Sequence, residues 1–258
     1  MTISNENKDK LNKMNRASQN ILLGDVLQGI NSIVSSGSIS ISASATGIPL
    51  IVNQYGSGSS AVFGNDDGKL IITNYGEIRL SGSATVWEDL KFPASSINPP
   101  GGIGGAGVDT ADTPFVGTLL FDPDSTEICA GQAQMPHGWK EGSFVVPHVH
   151  WSPTSTSTGS VVWQMNCDIA NIGEAYSGSY TYTSPIVSYA DGILNDHKII
   201  SFSNLAMPGK TLSSMILWRI SRIGGSGSDT YPSDARLLEF DIHYQIDSLG
   251  SNEEYIKY

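Results

Sequence analysis

The sequence predicts a mainly β protein in three parts: an N-terminal helix, a short intertwined β shaft, and a C-terminal antiparallel sandwich of jelly-roll type. Three observations carry this prediction. Of the 258 residues, 39% are hydrophobic and only 15% charged, and there are 28 glycines, the balance of a turn-rich β protein. Period-two alternation runs through the last half of the chain. Very short apolar segments alternate with glycine turns from Gly37 to Gly82, and none is long or apolar enough to build a core of its own.

Residues 1–36 read as a helical anchor arm. Leu11, Met14, Ile21, Leu22, Val26, Leu27 and Ile30 recur at three- and four-residue steps and form a narrow apolar stripe. Such a stripe suits packing against a partner, a short coiled coil included. Ser35-Ser36-Gly37 ends the pattern.

Residues 37–85 read as a β shaft. Ile39 and Ile41 alternate with serines, and short strands are expected at Pro49–Val52, Ala61–Phe63, Leu70–Thr73 and Glu77–Leu80. The turns between them, Gly56-Ser57-Gly58, Asn65-Asp66-Asp67-Gly68 and Asn74-Tyr75-Gly76, are rich in residues that accept positive φ. Segments this poor in core find it in other chains, so an oligomer is expected. Residues 86–114 open on VWEDLKFP and pass into a Gly/Pro-rich run, read as a contact loop over a neighbouring subunit. Residues 115–258 read as one β-sandwich of seven or eight strands. Its last strand places Leu238, Phe240, Ile242, Tyr244 and Ile246 on one face, with Glu239, Asp241, His243, Gln245 and Asp247 on the other.

The net charge of −11 argues against nucleic acid as a partner. The charge is uneven. Residues 1–23 carry four basic side chains against two acidic ones, so the arm is net +2 and the rest −13, and it suits an acidic partner surface. Cys129 and Cys167 do not make a disulfide framework in a chain this long, so free, mostly buried thiols and assembly in a reducing cytoplasm are expected. The first residues lack an apolar signal region, and no apolar run reaches about 18 residues, so neither secretion nor a membrane span is expected.

The segment containing GSGSSAVF and IITNYGEIRLSG resembles the shaft repeats of bacteriophage tail fibres and spikes. That resemblance implies three chains wound about one three-fold axis. The words VWEDLKFP, QMPHGWKEGSFVVPHVHW, NIGEAY and LLEFDIHYQIDSLGSNEEYIKY cover most of residues 86–258 and resemble a family of phage virion structural proteins. Together the resemblances imply a non-enzymatic homotrimer in the virion, a capsid decoration protein or head fibre that contacts major capsid or tail proteins through its arm. The alternative is a tail fibre or spike whose C-terminal tip binds a host surface glycan.

Chemistry-bearing residues are few. His148 and His150, two apart on an expected strand, point to one face and could share a metal, with His243 as a third donor. Gly142-x5-His148-x-His150 fits the opening of the cupin metal motif, but the following WSPTSTSTG lacks its glutamate, and no later Gly-Pro-Gly-His block follows. The expectation is therefore no metal and no cofactor, with histidines serving a subunit contact or neighbouring hydrogen bonds. Asp122, Asp124, Asp168, Asp196, Glu239 and Asp241 present no pair that stands out as a glycosidase couple. Asp122-Pro-Asp124-Ser125-Thr126-Glu127 lacks the glycine and length of a calcium loop. No nucleophile elbow or phosphate-cradling glycine motif is present, and no enzyme is expected. Trp163 and Trp218 read as core. Trp151, Tyr176, Tyr180, Tyr182 and Tyr189 are the candidates for stacking on a sugar.

Overall fold

The computed structural model describes residues 57–101 and 104–257. The expected helix over 1–36, its apolar stripe, and the strands near 39–41 and 49–52 lie outside the described residues. Within them the protein is β throughout, apart from one turn of 3₁₀ helix at Ala94–Ser96.

A three-stranded antiparallel meander comes first: β1 (Ala61–Gly64), β2 (Gly68–Ile72) and β3 (Ile78–Gly82). These match the three expected strands to within a few residues. The first turn is set by Asn65, whose Oδ1 accepts from the Asp67 and Gly68 amides at 3.0 and 3.1 Å. The second turn is held by Thr73, whose Oγ1 accepts from the Tyr75 and Glu77 amides, with Gly76 at φ +83°. Thr73 is the one buried residue between 57 and 85. Val62, Phe63 and Tyr75 are 54%, 57% and 79% exposed. The meander therefore encloses no apolar core. Backbone bonds tie it to the end of the chain: the Leu80 amide donates to the Asp247 carbonyl at 2.6 Å and Leu249 donates to Ile78 at 3.3 Å.

Two sheets make the sandwich. One contains β7 (Thr126–Gln134), β13 (Met215–Ile223) and β9 (Thr158–Ala170) side by side. The short β10 (Thr181–Tyr182) and β11 (Ile186–Asp191) both pair with β9. The other sheet is built on β14 (Ala235–Ile246). On one side β14 pairs with β8 (Val145–Pro153), which carries β12 (Lys198–Ser201) beyond it. On the other side it pairs with β4 (Val86–Pro93) and with β6 (Leu119–Phe121), to which β5 (Gly107–Val108) is added. From β7 to β9, and again from β11 to β14, consecutive strands cross from one sheet to the other.

The inner faces interleave aromatic rings. Phe121 meets Trp163 edge-on with centroids 5.1 Å apart, and Trp218 lies 4.6 Å from Phe240 and 5.2 Å from Phe92. Gly131 faces Trp218 across the β7–β13 pair, and a Cβ there would stand 2.4 Å from the indole, so only glycine admits that ring. Cys129 and Cys167 are free and buried as expected, and burial pushes their thiols up to about 12 and about 11.

Three details differ from the sequence reading. Val86–Pro93 is not the opening of a loop but a full strand of the sandwich, with Leu90 and Phe92 packed on the core. The described part of the Gly/Pro-rich run lies on its own sandwich: Ala94, Ile97 and Ala106 are buried in the core, and the Ala106 amide donates to Ile128 at 3.0 Å. Leu238 does not share the face of Phe240. The register of β14 against β8 shifts between Leu237 and Glu239, a bulge that absorbs Leu238 and sets the facing of every residue after it.

Candidate functional site

The outer face of the β14 sheet carries a row of histidines and carboxylates. On β8, Val145, Pro147, Val149 and Trp151 turn into the core, so Val146, His148 and His150 face outward. On β14 the bulge leaves Phe240 and Ile242 inside and Glu239, Asp241 and His243 outside. Register places Glu239 opposite His150, and Asp241 opposite His148. On the far side, β4 sets Asp89 opposite His243 and Lys91 opposite Asp241.

Asp241 is the centre of this row and is only 3% exposed. His150 Nε2 lies 2.9 Å from its Oδ2. His148 Nδ1 lies 3.0 Å from its Oδ1 but is not aligned to donate, and that buried oxygen accepts no hydrogen bond. The second nitrogen of His150 is 2.8 Å from Nε2 of His197, a histidine the sequence reading did not single out. His243 does not join His148 and His150 around one point. Its Nδ1 bonds Asp89 at 2.5 Å, and its ring stacks on Trp87 with centroids 4.6 Å apart. The three histidines named as candidate donors therefore do not converge: the donor atoms that do belong to His150, Glu239 and Asp241, all within 4.8 Å of one another. His148 and His243 were legible by strand parity. Glu239 and Asp241 were legible as outward residues, but their approach to His150 depends on cross-strand register.

A second surface lies on the outer face of the β9–β13 sheet. An open hollow of about 260 Å³ is lined by Asp168, Tyr176, Gly178, Ser179, Tyr180 and Leu217. Desolvation acts upward on the Asp168 carboxyl, but hydrogen bonds from Gly178 and Ser177 outweigh it and hold its pKa below the ordinary value. The Arg219 guanidinium lies over the Tyr180 ring, 4.6 Å from its centroid. Tyr176 and Tyr180 thus meet at one exposed place. Tyr189 is exposed on β11, and Tyr182 on β10 pairs through its backbone with Asn166 on β9.

Trp151 does not belong to this surface. It is 0% exposed, lies among Trp163 and Tyr231, and donates its indole N–H to Ser188 Oγ at 2.9 Å. Its expected role as a sugar contact is corrected, because strand alternation that turns His148 and His150 outward must turn Trp151 inward. Trp163 and Trp218 are core residues as expected. The Asp122–Glu127 segment uses its carboxylates on its own backbone, with Asp122 Oδ1 accepting from Asp124 and Glu127 Oε2 from Asp122. No helix among the described residues is long and apolar enough to cross a membrane.

No protein-family model matches the sequence, and no curated protein matches it. Among solved structures, the chain is similar to the CBM36-1 domain of a multidomain xylanase from the hindgut metagenome of Trinervitermes trinervoides. Identity is 12%, over 60% of this chain and 96% of that one, with a TM-score of 0.35. It is also similar to the CBM22-1-GH10 modules of the Clostridium thermocellum xylanase Xyn10B, at 10% identity, over 61% of this chain and 28% of that one, with a TM-score of 0.33. A third is latent PorU from Porphyromonas gingivalis, at 10% identity, over 77% of this chain and 15% of that one, with a TM-score of 0.33. Scores of this size do not establish a common fold, and what those proteins bind or cleave does not transfer to this chain.

Proposed function

We propose that the protein is a non-enzymatic structural component that acts by self-association, with the β1–β3 segment as its assembling part and the jelly-roll-like sandwich as a projecting head. The observation that carries the reading is the bare meander. The three paired strands contain no buried residue, the meander leaves Val62, Phe63 and Tyr75 to water, and a two- or three-stranded sheet without a covered apolar face is marginal alone. Packing of the same strands from other copies supplies the missing cover and protects the sheet edges. A homotrimer follows from the shaft resemblance.

The resemblance of VWEDLKFP, QMPHGWKEGSFVVPHVHW and LLEFDIHYQIDSLGSNEEYIKY to phage virion proteins supports a bacteriophage virion as the larger assembly. There the chain would serve as a capsid decoration protein or short head fibre, held by residues 1–36 on capsid or tail proteins after assembly in the host cytoplasm. Sedimentation equilibrium of the full chain at micromolar concentration tests the association. A mass of three chains is expected, and a monomer overturns the proposal. Immunogold labelling of virions tests the location.

A second reading is favoured by one observation, the tyrosine-lined hollow beside Asp168. Aromatic rings next to a carboxylate suit a sugar face and its hydroxyls. The chain would then be a tail fibre or spike with a glycan-binding tip. Alanine at Tyr176, Tyr180 and Tyr189 would abolish adsorption to host cells and leave the oligomer's mass unchanged. Adsorption at the unmutated level would remove this reading.

A further inference from the structure

We propose that His150, Glu239 and Asp241 form a binding site for a divalent transition-metal ion of the Zn²⁺ type on the outer face of the β14 sheet. The three donor atoms lie within 4.8 Å of one another. Two ligands on one ion, each about 2.1 Å from it, stand about 3.0–3.4 Å apart, and the His150 Nε2–Asp241 Oδ2 separation is 2.9 Å. A small closure around an ion suffices to bring the third donor in.

The second observation is independent of this convergence. Asp241 is nine-tenths buried or more, yet its Oδ1 accepts no hydrogen bond. A buried carboxylate oxygen left without a donor carries a desolvation cost, which a cation at the site would offset. Lys91, its register partner on β4, is exposed and forms no ion pair with it among the described residues. Two carboxylates in one small region repel each other, and a divalent ion removes that repulsion.

The surroundings are those that hold ligands in place. His197 Nε2 lies 2.8 Å from His150 Nδ1. An ion at the site would take the place of the proton that His150 Nε2 shares with Asp241 Oδ2, and His197 Nε2 would then accept the proton moved to Nδ1. His148 Nδ1 stands 3.0 Å from Asp241 Oδ1, the oxygen that His150 does not bond, and limits how the carboxylate can turn. One imidazole and two carboxylates form a mixed N/O set that favours Zn²⁺ and its first-row neighbours over Ca²⁺ and Mg²⁺, which prefer oxygen alone. His150 and Glu239 are only partly buried, so further positions on the ion remain open to water.

Isothermal titration of the chelator-treated full chain with ZnCl₂ tests the proposal, with CaCl₂ and MgCl₂ as comparison. About one equivalent per chain is expected to bind Zn²⁺ saturably, with little heat from the other two ions. His150→Ala and Glu239→Gln should each weaken binding at least about tenfold. His197→Ala, which removes only the partner of a ligand, should weaken it by about 10–100-fold. His137→Ala, outside the cluster, should leave it unchanged. Absence of saturable Zn²⁺ binding to the unmutated chain overturns the site, whatever the variants do. Binding that survives both His150→Ala and Glu239→Gln in folded protein also overturns it.

Discussion

Arg222 carries its charge at zero exposure on the inner face of β13. Its guanidinium is fully employed: bidentate to Asp229 at 2.8 and 3.0 Å, and donating to the carbonyls of Phe121, Ser233 and Tyr231. Asp229→Ala strands that cation in the core and is expected to cost about 3–5 kcal/mol in denaturant unfolding; a loss below about 1 kcal/mol would show the guanidinium finding water instead. Glu127 behaves in the opposite way. Burial raises its pKa, and the nearby Asp122 and Asp234 charges add to this against the Asp122 amide bond and the Arg222 charge. A carboxyl raised in the folded state contributes stability below its unfolded value, and that contribution is lost as pH rises through the folded value. Ionised Glu127 therefore weakens the fold at neutral pH. Glu127→Gln should raise Tm near pH 7, with the gain vanishing near pH 4; an equal gain at both would disprove the electrostatic cause. At this scale the sequence was partly legible. The outward facing of His148 and His150 followed from period two, and the same rule applied one residue further places Trp151 inside. The contact of His197 with His150 spans two strands and had no local signal.

Among the elements, the meander was the most legible, because Asn65 and Gly76 are turn residues whose roles are local. Its bare strands predict that Val62→Ser with Phe63→Ser leaves the sandwich folded but lowers the sedimenting mass toward a single chain. An unchanged mass would move the association elsewhere. β4 was less legible. Leu90 and Phe92 alternate with Trp87, Asp89 and Lys91 as a strand should, but the glycines and prolines that follow drew the whole stretch into a loop. The bulge at Leu238 could not be read at all. A bulge is defined by the partner strand, and nothing in LLEFDIHYQI marks which residue will be left over. Its effect is large nonetheless, since it turns Glu239 and Asp241 to the side of His150. Because Leu237 and Glu239 already stand opposite the consecutive residues Trp151 and His150, deleting Leu238 is expected to join the two halves of β14 into one regular ladder with their facing kept and to leave the near-ultraviolet circular dichroism of the fold in place; loss of that signal would show that the bulge itself is required.

The whole molecule depends on one strand more than on any other. The sandwich class was legible in the alternation of its strands, whereas the pairing of β14 with β8 on one edge and with β4 and β6 on the other was not, because partners so distant in sequence leave no trace in local pattern. β14 is also the last of these strands to be made. While the ribosome is still translating, β4, β6 and β8 emerge without the neighbour that completes their hydrogen bonds, and three strand edges wait together. Arrested nascent chains ending before Ala235 are therefore expected to be protease-sensitive across residues 86–201, and chains that have released Ile246 to be resistant. A protein built this way acquires its head in one late step rather than strand by strand, so the speed of its own synthesis sets how long its sticky edges stay open to a neighbour on the same messenger.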